Sequence, residues 1–288
     1  MSVWTSLNEI PFRIDWVDVG GWRTRVFEAG TGPALVLLHG TGGHLEAFSR
    51  NIRALAEHYR VIAYDMPGQG YTTFARDDVE IDTYVEHLRG LLTTLGVEQA
   101  HLCGESLGGW VAIKFAVCHP DLVDSMVLNT PGGTMATPEV MERIRSLSQA
   151  AADDPSPERV RSRLEWLMAD NRSVTDELVE IRQAIYARPG FAESMKHVLC
   201  LQNPEIRARN LVTDETLAAV AAPTLVVWTS DDPSGPASAG EAMAQRIPRG
   251  EYTLIDGAGH WPQWEQQAKY DQVMIDFLGS SRPSVSVQ

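Results

Sequence analysis

The sequence predicts an α/β protein with a mostly parallel sheet flanked by helices, and three observations carry that expectation. Short, nearly all-apolar runs alternate with stretches of helical spacing through the first part of the chain. In the middle the alternation lapses into helix-like stretches with no convincing strand, and then it resumes. Finally, Gly104-Glu105-Ser106-Leu107-Gly108 lies between the strand-like Ala100-His101-Leu102-Cys103 and the helix-like Trp110-Val111-Ala112-Ile113-Lys114-Phe115. A G-x-S-x-G alone is a weak signal, but between a strand and a helix it marks a sharp turn that lifts the serine hydroxyl above the sheet edge.

Taken in order, Phe12–Val17 and Trp22–Glu28 flank the turn pair Gly20-Gly21 and read as a hairpin at a sheet edge. Ala34–Leu38 and Val61–Tyr64 are apolar and bounded by glycine or charge, as buried parallel strands are. Helical spacing covers Leu45–His58 between them, and Ile81–Leu95 forms the next helix before Gly96. The strand into Ser106, the helix after it and a strand at Met126-Val127-Leu128 follow, which implies right-handed crossovers. Four helices are expected at Pro138–Ala151, Pro157–Met168, Thr175–Ala187 and Phe191–Cys200, punctuated by Asp153-Asp154-Pro155-Ser156-Pro157 and Arg188-Pro189-Gly190. The simplest reading is a helical cap, residues 134–216, inserted into a core made of residues 1–133 and 217–288. The core resumes with a strand at Thr224–Trp228, a helix near Ala239–Gln245, a strand at Tyr252–Ile255 and a closing helix from Glu265 to Leu278; Ser280–Gln288 reads as a frayed tail.

Bulk properties narrow the function. The 288 residues, 44% hydrophobic, can bury a sizeable core. A formal net charge of −14, from 38 acidic against 24 basic residues, argues against a nucleic-acid partner. Cys103, Cys118 and Cys200 lack metal-ligand spacing and cannot all pair, and neither a leader pattern nor an apolar run of membrane-spanning length occurs. These features predict a cytoplasmic protein without a membrane partner, acting on a small molecule; a homo-oligomer is compatible with them.

A hydroxyl becomes a useful nucleophile when a base takes its proton and a third group holds that base. After the strand Thr224–Trp228 come Thr229-Ser230-Asp231-Asp232-Pro233, and after Tyr252–Ile255 come Asp256-Gly257-Ala258-Gly259-His260-Trp261. Ser106, an aspartate and His260 therefore follow the serine–acid–histidine order of the α/β-hydrolase fold, not that of chymotrypsin or subtilisin. In that fold the acid usually ends a Gly-x-x-Asp turn; Thr229 stands in the glycine's place, and counting from it selects Asp232 over its neighbour Asp231. His39-Gly40-Thr41-Gly42-Gly43 matches the loop that supplies oxyanion donors, which makes Thr41, Gly42 and Leu107 the candidate N–H groups. Asp65-Met66-Pro67-Gly68-Gln69-Gly70 reads as a structural loop of the same fold. No metal or organic cofactor is implied.

Three stretches make the resemblance narrower: Gly104–Gly109, Pro131-Gly132-Gly133, and Gly259-His260-Trp261-Pro262-Gln263-Trp264-Glu265. Together they resemble the meta-cleavage-product hydrolases, which split carbon–carbon bonds in vinylogous diketo acids formed from aromatic rings. The resemblance runs from about Trp22 to Leu278. It implies that an arginine of the cap grips the substrate carboxylate, and Val174–Arg182 is similar to the segment bearing it, so Arg182 is the expected clamp. Trp261 is expected to line the pocket beside the base. The family commonly has asparagine just before the nucleophile, where this chain has Glu105. An ionised carboxylate only accepts hydrogen bonds and repels an anion, so Glu105 points away, or is protonated in a dry pocket, or meets a different substrate. Hydrolysis of a 2-hydroxy-6-oxo-dienoate-like acid leads; a carboxylesterase, for instance of a phthalate monoester, is the alternative. A noncatalytic receptor would have no use for the complete serine–acid–histidine set. Haloalkane dehalogenases and epoxide hydrolases carry aspartate where this chain has Ser106.

Overall fold

The computed structural model describes residues 2–134 and 136–280. Its eight strands are β1 (Phe12–Val19), β2 (Trp22–Ala29), β3 (Ala34–Leu38), β4 (Arg60–Tyr64), β5 (Ala100–Glu105), β6 (Val123–Asn129), β7 (Thr224–Thr229) and β8 (Gly250–Ile255). They form one sheet in the order β1-β2-β4-β3-β5-β6-β7-β8. The β1–β2 hairpin pairs antiparallel at one edge, β2 pairs antiparallel with β4, and every other pair is parallel. Strands β3 and β5 are buried along their whole length, which is why both read as continuous runs with little polar alternation.

The helices are α1 (Ile52–Ala56), α2 (Ile81–Thr94), α3 (Leu107–Cys118), α4 (Pro138–Asp153), α5 (Pro157–Glu165), α6 (Asp176–Tyr186), α7 (Phe191–Val198), α8 (Pro204–Asn210), α9 (Asp214–Ala218), α10 (Ala237–Arg246), α11 (Pro262–Glu265) and α12 (Gln267–Ser280). Helices α4 to α9 fall between β6 and β7, so the inserted helical region is where the strand pattern lapsed. This insertion packs onto the sheet through shared hydrophobic core: Leu164, Leu178, Ile185 and Phe191 belong to the same buried cluster as Leu35, Val127 and Trp264. Its helices start at recognisable caps, since Thr137, Thr175 and Asn203 each accept a first-turn N–H with the side-chain oxygen.

The structure redraws several sequence boundaries. The single helix expected over Leu45–His58 is a 3-10 turn, Leu45–Phe48, followed by the short α1. Tertiary bonds divide it: Leu45 N–H donates to Asp65 Oδ1 at 2.8 Å, and Asn51 Nδ2 donates to Asp271 Oδ1 at 2.7 Å and to the Gln263 carbonyl at 3.0 Å. The closing helix is broken at Gln266 into α11 and α12, and the helix begun at Phe191 ends in a 3-10 turn, Leu199–Gln202. Helices α8 and α9 were not anticipated. Of the expected tail, Ser280 ends α12 and residues 281–288 lie outside the described residues.

Candidate active site

Ser106 lies between β5 and α3 with φ 53° and ψ −111°, a left-handed conformation that side chains rarely adopt. The flanking glycines have a steric reason: a Cβ at Gly104 would strike the Gly108 carbonyl, and one at Gly108 would strike the Leu38 carbonyl of the neighbouring strand. Backbone bonds brace the turn, with Ser106 N–H donating to the Asn129 carbonyl at 3.0 Å and Gly132 N–H donating to the Ser106 carbonyl at 2.8 Å.

Asp232 and His260 come from the loops after β7 and β8. Asp232 Oδ1 accepts from His260 Nδ1 at 2.9 Å, and also from the backbone and hydroxyl of Ser234, each at 2.8 Å. Asp231 is exposed and bonded to Ser230 Oγ instead. Thr229, standing where the fold usually has glycine, donates its hydroxyl to the Gly259 carbonyl at 2.7 Å and so ties the acid loop to the histidine loop. Burial alone would lower the His260 pKa, yet Asp232's charge and hydrogen bond, with a further contribution from Glu105, raise it above the ordinary histidine value. Burial pushes Asp232 up, but His260 and Ser234 outweigh it, and its pKa lies below the usual carboxylate range.

Among the described residues no hydrogen bond joins Ser106 Oγ to His260. His260 Nε2 faces Glu105 Oε1 at 3.5 Å, near enough to feel its charge but long for a hydrogen bond. Such bonds are often loose in unliganded enzymes and tighten with substrate. Of the three arrangements the sequence left open for Glu105, pointing away is not the one adopted. Its carboxyl is buried against Gly40 and aimed at the base; Oε2 has no partner, and burial raises its pKa.

The His39–Gly43 loop corrects one expectation. Gly42 N–H is occupied, donating to Gln69 Oε1 at 2.6 Å, so it is no free donor. Thr41 lines the cavity beside Ser106, as does Leu107, whose N–H at the start of α3 has no intrahelical acceptor. The Asp65 loop holds this region from behind: Asp65 accepts from Arg25, Leu45 N–H and Tyr71 N–H, while His39 Nε2 accepts from Met66 N–H at 3.0 Å.

A cavity of about 440 Å³ contains Ser106, Glu105, Asp232, His260 and Trp261 in its walls, the size of a small-molecule site. Arg182 is fully buried on α6, its guanidinium 5.4 Å from the Trp261 ring centroid and 5.8 Å from that of Tyr186, and none of its three side-chain nitrogens has a hydrogen-bond partner. It packs against the cavity-lining Trp261 but does not itself line the cavity. Tyr186, one turn further on, donates to the Gly42 carbonyl at 2.8 Å, so the inserted helix touches the His39–Gly43 loop. The His-Trp-Pro-Gln-Trp-Glu stretch docks the insertion onto the core: Glu265 accepts from Gly259, Ala169 and Asp170 N–H, and Trp264 Nε1 donates to the Ser173 carbonyl at 2.8 Å. Sequence reasoning missed Ser234, Arg163 and Arg207, all three of which line the cavity. Arg163 had a legible signal, since it shares the buried face of α5 with Val160 and Leu164. Among the described residues no group of three or more His, Cys, Asp or Glu side chains could hold a metal ion, and no helix is long and apolar enough to cross a membrane.

Comparison with known proteins agrees with this architecture. The family model for the alpha/beta hydrolase fold matches residues 33–267. A 2-hydroxy-6-oxononadienedioate/2-hydroxy-6-oxononatrienedioate hydrolase of Paraburkholderia phymatum is 34% identical over 279 residues, covering 90% of this chain and 93% of the relative. The chain belongs to the α/β-hydrolase fold, in the meta-cleavage-product hydrolase family. This hydrolase is also 32% identical to a 2-hydroxy-6-oxo-6-phenylhexa-2,4-dienoate hydrolase of Comamonas testosteroni, over 92% of the chain and 94% of the relative. A crystal structure of a meta-cleavage product hydrolase from Pseudomonas fluorescens superimposes with a TM-score of 0.81 at 28% identity, covering 95% of this chain and 99% of that one.

Proposed function

We propose that this hydrolase cleaves a carbon–carbon bond in a 2-hydroxy-6-oxo-dienoate-like acid, a ring-fission product of aromatic catabolism. Ser106 is the nucleophile, His260 the base, Asp232 its orienting acid, and Thr41 and Leu107 the oxyanion donors; residues 134–216 form the cap over them. Arg182, behind the cavity-lining Trp261, supplies the positive charge that draws the acid end of the substrate. His260 then moves the enol proton to C5, giving the ketone tautomer. Ser106 Oγ, passing its proton to His260, attacks the C6 carbonyl; the C5–C6 bond breaks with its electron pair delocalised into the dienolate, which takes that proton from His260, and the C6 fragment stays on Ser106 as an ester. Water activated by His260 releases that fragment as a carboxylic acid.

The observation that carries the reading is Arg182, a buried guanidinium with no partner on any nitrogen. Leaving a charge so costs several kcal/mol, on the order of the 3–5 kcal/mol lost when a buried ion pair is broken, which an anionic substrate offsets. The named activities of the relatives from Paraburkholderia phymatum and Comamonas testosteroni support the same chemistry. One observation favours a second reading, an esterase for a monoester with a free acid group: Glu105 sits 3.5 Å from His260 Nε2, where an ionised carboxylate would repel an anionic dienolate. The test is the loss of the yellow dienoate absorbance against hydrolysis of p-nitrophenyl acetate and a phthalate monoester. Carbon–carbon cleavage predicts a dienoate kcat/KM at least 100-fold above either ester, as a rough threshold of about 3 kcal/mol in transition-state stabilisation, abolished in Ser106→Ala. The opposite ranking selects the esterase.

A further inference from the structure

Arg182 is not the only buried cation at this site without a counter-charge. Arg163, on α5, is 4% exposed and lines the cavity with Ser106, His260 and Glu105. Its Nε donates to Ser148 Oγ at 2.9 Å and its guanidinium lies 5.3 Å from the Trp166 ring centroid, which fixes the plane of the group. Nη1 is buried with no hydrogen-bond partner, and among the described residues no carboxylate stands within ion-pairing distance. Burial pulls its pKa down to about 10, so it is still a cation at neutral pH.

The surrounding charges do not balance. Arg163 and Arg182 repel one another, and Glu105 is a buried carboxyl that feels the charge of both. Burial favours the neutral form of Glu105, and even when ionised it offsets a single guanidinium. Asp232, the other carboxylate in the cavity wall, is bonded to His260 and Ser234, so neither guanidinium has a hydrogen-bonded counter-charge. An α-helix face built from Val160 and Leu164 would be more stable with an apolar side chain at position 163.

Resting on the acid-substrate reading above, we propose that Arg163 is a second anion-binding residue of this site: its guanidinium, in the cavity wall with Ser106 and His260, takes an oxygen of a 2-oxo or 2-hydroxy-enoic acid head, with the charge of Arg182 behind Trp261 adding to the attraction. A plain carboxylate offers one charged group; a 2-oxo acid adds a neighbouring oxygen that gains negative charge as the dienolate forms. Two guanidinium groups match that two-part head and select it over a simple acid.

Equilibrium binding tests this without calling on turnover. Isothermal titration of the full-length protein with 2-oxohexanoate and with hexanoate is expected to give at least tenfold tighter binding of the 2-oxo acid. Arg163→Met is expected to lose most of that preference and Arg163→Lys to recover part of it, while the melting temperature of Arg163→Met stays level or rises. If the Met variant does not fold, Arg163→Gln carries the same comparison. Equal preference in wild type and variant, no binding of the 2-oxo acid by the wild type, or a melting temperature that falls together with an unchanged preference overturns the proposal. A protein that fails to turn over dienoates but passes this binding test loses the proposed reaction and keeps the two-arginine head site.

Discussion

Two fully enclosed arginines, one behind the oxyanion loop and one in the inserted helices, stand in opposite situations. Arg25 is 5% exposed, and each side-chain nitrogen meets a carboxylate: Nε and Nη2 reach Asp65 at 2.7 and 3.1 Å, and Nη1 and Nη2 reach Glu46 at 2.8 Å each. Arg182 is as deeply enclosed and meets aromatic faces only. A satisfied buried charge fixes backbone: Asp65 and Glu46 hold the loops that begin at His39 and Asp65. An unsatisfied one is a standing cost in the free protein, which on the proposed reading an anionic substrate offsets. The same division runs through the aspartates after β7, where Asp232 is enclosed and bonded to the base while Asp231 faces solvent.

The aspartate pair gives the largest expected effect. Asp232→Asn leaves an amide that cannot accept from His260 Nδ1–H in the same way, which releases the imidazole tautomer and orientation. We expect kcat to fall by about 10⁴-fold, the scale seen when a triad acid becomes an amide, with Asp231→Asn within about threefold of the wild type, as for an exposed side chain away from such features. Steady-state kinetics on both variants decides it. Comparable losses in the two would erase the distinction between enclosed and solvated acid.

Much of this fold is legible in the sequence alone. Ala34–Leu38 was found residue for residue, and the strand–turn–helix context singled out Ser106, because buried parallel strands and a glycine-flanked elbow leave local signatures. The split of Leu45–His58 was not legible, since Asp65, Gln263 and Asp271 impose it from far along the chain. Gly42 was misjudged for a similar reason: only the fold brings Gln69 to its N–H. Arg182 is a candidate only through family resemblance, whereas Arg163 is legible in the sequence itself, since its place among Val160 and Leu164 breaks the apolar face of α5.

The arginine comparison itself can be broken by one pair of variants. Arg25→Met strands Asp65 and Glu46 as unpaired buried acids and should destabilise the fold by about 3–5 kcal/mol. Arg182→Met strands nothing, so its unfolding midpoint in urea should match or exceed that of the wild type. Its cost appears in binding: losing a charge-assisted pair, about 1.5–3 kcal/mol, raises KM for a carboxylate-bearing substrate much more than for a neutral ester. Were Arg182→Met to lose as much stability as Arg25→Met, the unpartnered guanidinium would be structural after all.

The smallest expected effect concerns Glu105, whose carboxyl belongs to neither class, since it is buried, raised in pKa and only loosely placed against His260. His260 acts as a base when neutral, so kcat/KM rises with pH through its pKa, which Asp232 and then Glu105 hold above the ordinary value. Glu105→Gln removes one of those negative neighbours and should move the acid limb of the pH profile to lower pH. The stability effect has the opposite sign from that of a salt-bridged acid. A carboxyl whose pKa is higher folded than unfolded binds more protons in the folded state, so its contribution is present at low pH and is lost as pH rises through the folded value. The melting temperature of Glu105→Gln relative to wild type should therefore climb as pH increases above the usual carboxylate range. An acid limb that does not move, with a melting difference that is flat in pH, would mean that Glu105 is neutral throughout and acts on His260 as a packing group alone.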